Sequence, residues 1–120
     1  MNLINKLIFS TFTAGFLCAN VAQAADVVNV YSARKEALIK PLLDEFSAST
    51  GIEVNLVTGK ADALLKRLQV EGSATEADIF ITSDVGRLHR AKEAGVLKAV
   101  AVPALEASIP QALRDSEHYW

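Results

Sequence analysis

Apolar positions change their spacing in a regular way along this chain. Val27, Val28, Asn29, Val30 and Tyr31 form a short, mostly β-branched run, as expected of a strand covered on both faces. From Arg34 to Thr50 the spacing becomes helical: Leu38, Leu42 and Phe46 recur four apart, with Ile39 and Leu43 beside them. Pro41 falls inside that run. A proline there deletes a backbone hydrogen bond and crowds the carbonyl four residues back, so a kink or a late helix start is expected. Gly51 ends the helix, and residues 52–57 alternate with period two as a second strand.

Thr58 and Gly59 turn the chain into a second helix, where Ala61, Leu64, Leu65 and Leu68 make one apolar stripe that stops near Gly72. Ile79, Phe80 and Ile81 read as a third strand. Thr82, Ser83 and Asp84 follow, three helix-capping residues in a row. A third helix then carries Val85, Leu88 and Ala91 and closes at Gly95. Residues 96–102 are apolar and expected to be extended in part. Pro103 and Pro110 divide the rest into short helices near Leu105 and Leu113. Strand and helix alternate throughout, which implies an α/β fold with a mostly parallel sheet and flanking helices.

The first 24 residues break this pattern. A positive charge at Lys6, an apolar stretch over residues 7–21 and small residues at Ala22 and Ala24 make a secretory signal peptide, with cleavage expected after Ala24. Ser10, Thr11, Thr13 and Asn20 interrupt the stretch, against a membrane anchor. Bulky Leu17 before Cys18 disfavours a lipid attachment site. The mature chain would then begin at Ala25, exported to an oxidising compartment, carry no cysteine and not span the membrane.

Composition narrows the function classes. Twelve Lys and Arg stand against 14 Asp and Glu, a net charge of -2, so no basic footprint for nucleic acid exists. A single cysteine excludes a disulfide framework. Gly59-Lys60 lacks the preceding glycine and following hydroxyl of a phosphate-binding loop, and neither a nucleophile elbow nor a zinc-protease motif occurs, so no enzyme is expected. His118-Tyr119-Trp120 places aromatics where a chain end usually frays, and the chain is expected to be a fragment.

In an open α/β sheet, ligands gather beyond the carboxyl ends of the strands. Three loops meet that description here, and they supply the candidate binding residues: Ser32 and Arg34 after the first strand, Thr58, Gly59 and Lys60 after the second, Ser83 and Asp84 after the third. Their hydroxyls, cations and helix-start N–H groups favour an anion. Capping and turn formation alone would account for several of the same residues. His89 sits mid-helix beside Arg90 and Lys92 and reads as a surface residue.

Residues 30–37 (Val-Tyr-Ser-Ala-Arg-Lys-Glu-Ala), Phe46 to Ile52, Glu71-Gly72-Ser73, Ala77 to Phe80, Ser83 to Leu88 and Ala94 to Leu97 together resemble the periplasmic ferric-iron-binding proteins of bacterial ABC transporters. The resemblance runs in order over residues 27–120. It implies a type II periplasmic-binding-protein lobe, incomplete in this chain, from a protein of two lobes hinged around a cleft. It further implies capture of Fe(III) with carbonate or a similar anion, and delivery to an inner-membrane permease and its ATPase. The family's decisive tyrosines would lie beyond Trp120, so this chain alone should not bind ferric iron tightly. Many members carry a histidine ligand where Arg34 stands, which leaves Arg34 as an anion anchor. Tyr31 is either a core residue, the reading favoured, or a weak metal ligand. The same lobe also serves proteins for oxyanions, organic anions, polyamines and thiamine-like molecules, which stay open as alternatives.

Overall fold

The computed structural model describes residues 26–120. The expected signal peptide, its cleavage after Ala24 and Cys18 lie outside the described residues. Strand β1 (Val27–Ser32) is followed by helix α1 (Glu36–Thr50), strand β2 (Glu53–Thr58), helix α2 (Ala61–Glu71), strand β3 (Ile79–Ile81), helix α3 (Val85–Glu93) and helix α4 (Pro103–Ser108). Single 3₁₀ turns sit at Gly72–Ala74 and Gln111–Leu113.

The strands form one parallel sheet in the order β2-β1-β3. Right-handed crossovers that run in opposite directions across a sheet, here β1 to β2 and β2 back past β1 to β3, place their helices on opposite faces. Strand alternation turns Val30 and Tyr31 to opposite faces in the same way. Both are buried. Tyr31, Leu64 and Leu68 make one core cluster, with Val57, Ala77, Phe80 and Val96 packed against it, so α2 covers the Tyr31 face. Helix α1 packs along β2.

Helix α1 starts at Glu36 rather than Arg34, and it runs unbroken through Pro41 to Thr50. No late start occurs, because residues 36–40 already form a turn closed by Leu38 and Ile39 N–H donating to the Lys35 carbonyl. Gly51 ends it at φ 75°, a left-handed position that glycine adopts without steric cost. Only Ile39 is buried along α1; Leu38 and Leu42 are 62% and 66% exposed. Strand β2 is shifted one residue from the expected 52–57. In α3, Ala91 is buried whereas Val85 is exposed. Residues 96–102 form no strand; Val102 is extended, at φ -123°, as it enters α4. Val100 instead donates its N–H to the His118 carbonyl, and its own carbonyl accepts from the Trp120 indole. No helix among the described residues is long and apolar enough to cross a membrane.

Candidate functional site

The three strands end in register. Ser32 closes β1 opposite Thr58 of β2 and Ile81 of β3, so the loops after them share one edge. Gly59 N–H donates to the Ser32 carbonyl at 3.1 Å and Ala33 N–H to the Ile81 carbonyl at 2.8 Å, which ties these loops together. The chain passes from β1 to β2 and then crosses back to β3. The topological switch therefore lies between β1 and β3, where open α/β sheets hold their ligands. A cleft of about 290 Å³ opens there, lined by Ala33 after β1, Lys60 and Asp62 at the start of α2, and Thr82, Ser83 and Arg87 after β3.

Its chemistry is uneven. Lys60 stands at the cap position of α2, but its side chain caps nothing. Asp84 caps α3, accepting from the Arg87 N–H at 3.0 Å. The Arg87 guanidinium lies 3.6 Å from Asp84 and 3.9 Å from Asp62, beyond hydrogen-bonding reach of either. Asp62 is engaged instead by Arg90 at 3.0 Å. Among the described residues, Thr82 Oγ1, Arg87 Nε and Arg114 Nε are buried without a hydrogen-bond partner.

Of the residues expected at the site, the cleft brings together Lys60 and Ser83. Ser32 lies beneath it, fully buried, with its hydroxyl accepting from the Arg34 N–H at 3.1 Å and so shaping the first turn. Arg34 and Thr58 are exposed and do not line the cleft. Gly59 acts through packing, since a Cβ there would stand 3.3 Å from Leu64 Cδ2. Asp84 serves as the α3 cap. The sequence places Thr82 in the third loop, with capping as the competing role, and gives no role to Asp62 or Arg87. Spacing holds the missing signal: Arg87 follows the α3 cap by three residues, inside the turn that faces the sheet edge.

Tyr31 belongs to the core. Its hydroxyl is spent on Glu71, and the Arg67 guanidinium lies 4.6 Å from the centre of its ring. Burial, then the Glu71 carboxylate, push its phenol above the ordinary value of 10.0. Tyr119 stands elsewhere, against Lys92, whose ammonium is paired with Asp115 and Glu117. These contacts fold the last residues onto α3 beside a second cleft of about 590 Å³, on whose wall His89 sits exposed. Among the described residues, no three His, Cys, Asp or Glu gather closely enough to hold a metal ion.

Known proteins share this arrangement. Iron uptake protein A1 of Synechocystis sp. is 42% identical over 93 residues, which is 78% of this chain and 26% of that protein. A solved Trichodesmium protein in complex with iron and citrate ligands superposes with a TM-score of 0.74 at 42% identity, over 78% of this chain and 30% of its own. The ferric binding protein from Campylobacter jejuni does so with a TM-score of 0.74 at 44% identity, over 76% and 29%. The chain thus spans less than a third of the length of these relatives. Its fold is that of a type II periplasmic-binding-protein lobe, in part. The sequence profile of the bacterial extracellular solute-binding proteins matches residues 28–112, from within β1 to the last 3₁₀ turn, and with the sheet, the switch-point cleft and the relatives in agreement, the chain belongs to that family.

Proposed function

We propose that the protein is the periplasmic binding component of an ABC importer that captures Fe(III) together with a synergistic oxyanion and delivers it to an inner-membrane permease driven by its ATPase. In this reading residues 1–24 direct export and are removed after Ala24. Ferric iron is a hard cation that prefers phenolate and carboxylate oxygens, with an anion completing its shell. The described lobe supplies the anion side. The observation that carries the reading is the switch-point cleft, where Lys60, Arg87, Thr82 and Ser83 converge on a small volume suited to an oxyanion such as carbonate or citrate. Tyr31 is committed to the core, so the phenolate ligands come from outside this segment.

The test uses the exported protein expressed from its complete reading frame. Ferric citrate should produce a stoichiometric tyrosinate-to-iron charge-transfer band in the visible, unaffected by excess thiamine or spermidine. Saturable binding of one of those organic molecules, with no uptake of iron, would replace the ferric reading by that ligand.

A further inference from the structure

We propose that residues 100–120 form an acid-tightened clasp on α3, anchored at Lys92 and closed by pairing of the His118 imidazolium with Glu106. The clasp is a conformational device of the fold, independent of the ferric reading. Arg114, Asp115, Tyr119 and Trp120 of the same segment line the cleft of about 590 Å³ beside α3, so closing the clasp fixes that wall.

Two hydrogen bonds close the loop. Val100 N–H donates to the His118 carbonyl at 2.9 Å, and the Trp120 indole donates to the Val100 carbonyl at 2.6 Å. Helix α4 and the last 3₁₀ turn lie inside the segment so closed. Lys92 fixes it to α3: its ammonium bonds Asp115 at 2.8 Å, pairs with Glu117 and lies 5.2 Å from the centre of the Tyr119 ring. Asp115 in turn accepts from the Glu117 and Tyr119 N–H groups at 2.9 and 3.3 Å. Asp115 and Glu117 push Lys92 above the ordinary lysine value, and Lys92 holds Asp115 below the ordinary carboxylate value. The anchor therefore keeps its charges through the neutral range.

His118 is the variable part. Its Nδ1 stands 3.3 Å from Glu106 Oε1 on α4, and its ring centre 6.4 Å from that of Trp120. An imidazolium pairs with that carboxylate and a neutral imidazole gains far less. The contact is thus made in acid and lost as pH rises through the range where histidine changes charge. Of the charged groups around it, Glu106 comes from α4, Asp115 and Glu117 of its own turn are spent on Lys92 of α3, and Lys98 belongs to the segment leading to Val100. The backbone supplies a second observation. His118 stands at φ 64°, a left-handed position that persists in a residue with a side chain only where its surroundings hold it. Val100, Glu106 and the Asp115 carbonyl, which accepts from the His118 N–H at 3.1 Å, supply that hold. Losing the Glu106 contact therefore loosens a turn already under strain.

The experiment is amide hydrogen exchange, read by mass spectrometry and corrected for intrinsic rates, on the exported protein expressed from its complete reading frame. Exchange is compared at pH ~5.5 and ~7.5, on either side of the histidine range. Peptides within residues 98–120 should be protected roughly two- to fivefold more at the lower pH, the scale of a partly exposed ion pair. Peptides of β1 and β2 should not change. His118→Asn accepts the left-handed position without a titrating group, and it should abolish the difference. Glu106→Gln should abolish it too, from the opposite partner, so the proposal stays testable if one variant disturbs the loop. Lys92→Gln should lower protection of the loop at both pH values. Four results would overturn the clasp: equal protection of the parent loop at both pH values, a change of the same size in β1 and β2, a difference that persists in both His118→Asn and Glu106→Gln, or parental protection in Lys92→Gln. None of these outcomes depends on iron.

Discussion

The Tyr31 hydroxyl donates to both carboxylate oxygens of Glu71, at 3.1 and 3.2 Å, and so clamps the central strand to the end of α2. Glu71 also accepts from Thr75 at 2.7 Å and from Arg67 at 2.5 Å. Thr75, Arg67 and Tyr31 together hold its carboxyl below the ordinary 4.5. Asp115 is lowered likewise, by Lys92 first and then by backbone N–H groups of Tyr119 and Glu117.

These carboxylates set the acid limb of stability. A carboxyl whose folded value is depressed stabilises the fold above its unfolded value, and that contribution is lost as pH falls through the folded one. The urea midpoint should therefore hold near neutrality and drop below pH ~4, where unfolded carboxylates take up protons. Glu71→Gln should lower the midpoint at neutral pH and flatten the acid drop. The sign reverses for Tyr31, whose raised phenol stabilises the fold fully below pH ~10 and loses its contribution as pH climbs through the folded value. Tyr31→Phe should flatten the alkaline limb of the same titration.

Core substitutions should separate two helices of similar sequence pattern. Leu64→Ala or Leu68→Ala opens a cavity under Tyr31 and should cost about 2–5 kcal/mol in urea unfolding. Leu42→Ala on α1 removes a side chain that is 66% exposed. It should stay within about 0.5 kcal/mol of the parent, as surface changes do.

Asp84 joins stability to the cleft. Asp84→Ala removes the α3 cap and should cost about 0.5–2 kcal/mol. Asp84→Asn keeps a cap acceptor for the Arg87 N–H but removes the negative charge 3.6 Å from the guanidinium. Phosphate affinity of the iron-free protein should then rise roughly two- to fivefold, the scale of an exposed ion pair, read by calorimetric titration at fixed ionic strength.

Residues 25–120 by themselves should not take up ferric iron with a strong tyrosinate band. Tyr31 donates its hydroxyl proton to Glu71, and Tyr119 packs against Lys92, so the two phenols are engaged at separate places. Titration of that segment with ferric citrate tests this. A stoichiometric visible band would place phenolate ligands within these residues.

Local spacing by itself determined the elements. Short apolar runs, one alternating segment and period-four stripes placed the three strands and the main helices within one or two residues, because these patterns follow from backbone geometry. Gly51 and the Thr82–Asp84 run marked ends for equally local reasons, a left-handed turn and a side-chain cap. Pro41 misled for the opposite reason: its cost is local, but the turn before it and packing on β2 outweigh it. Which apolar residues are buried, Ile39 but not Leu38 or Leu42, was decided only when α1 met the sheet. The site followed the same division. Lys60 and Ser83 were legible from loop composition, since any parallel α/β sheet gathers such loops at one edge. Arg87 was not, and Arg34 stands outside the cleft. Strand order β2-β1-β3 sets the switch point between β1 and β3, and only that pairing brings the start of α2 against the first turn of α3. Strand order is a long-range property of packing, with no counterpart in the spacing of neighbouring residues.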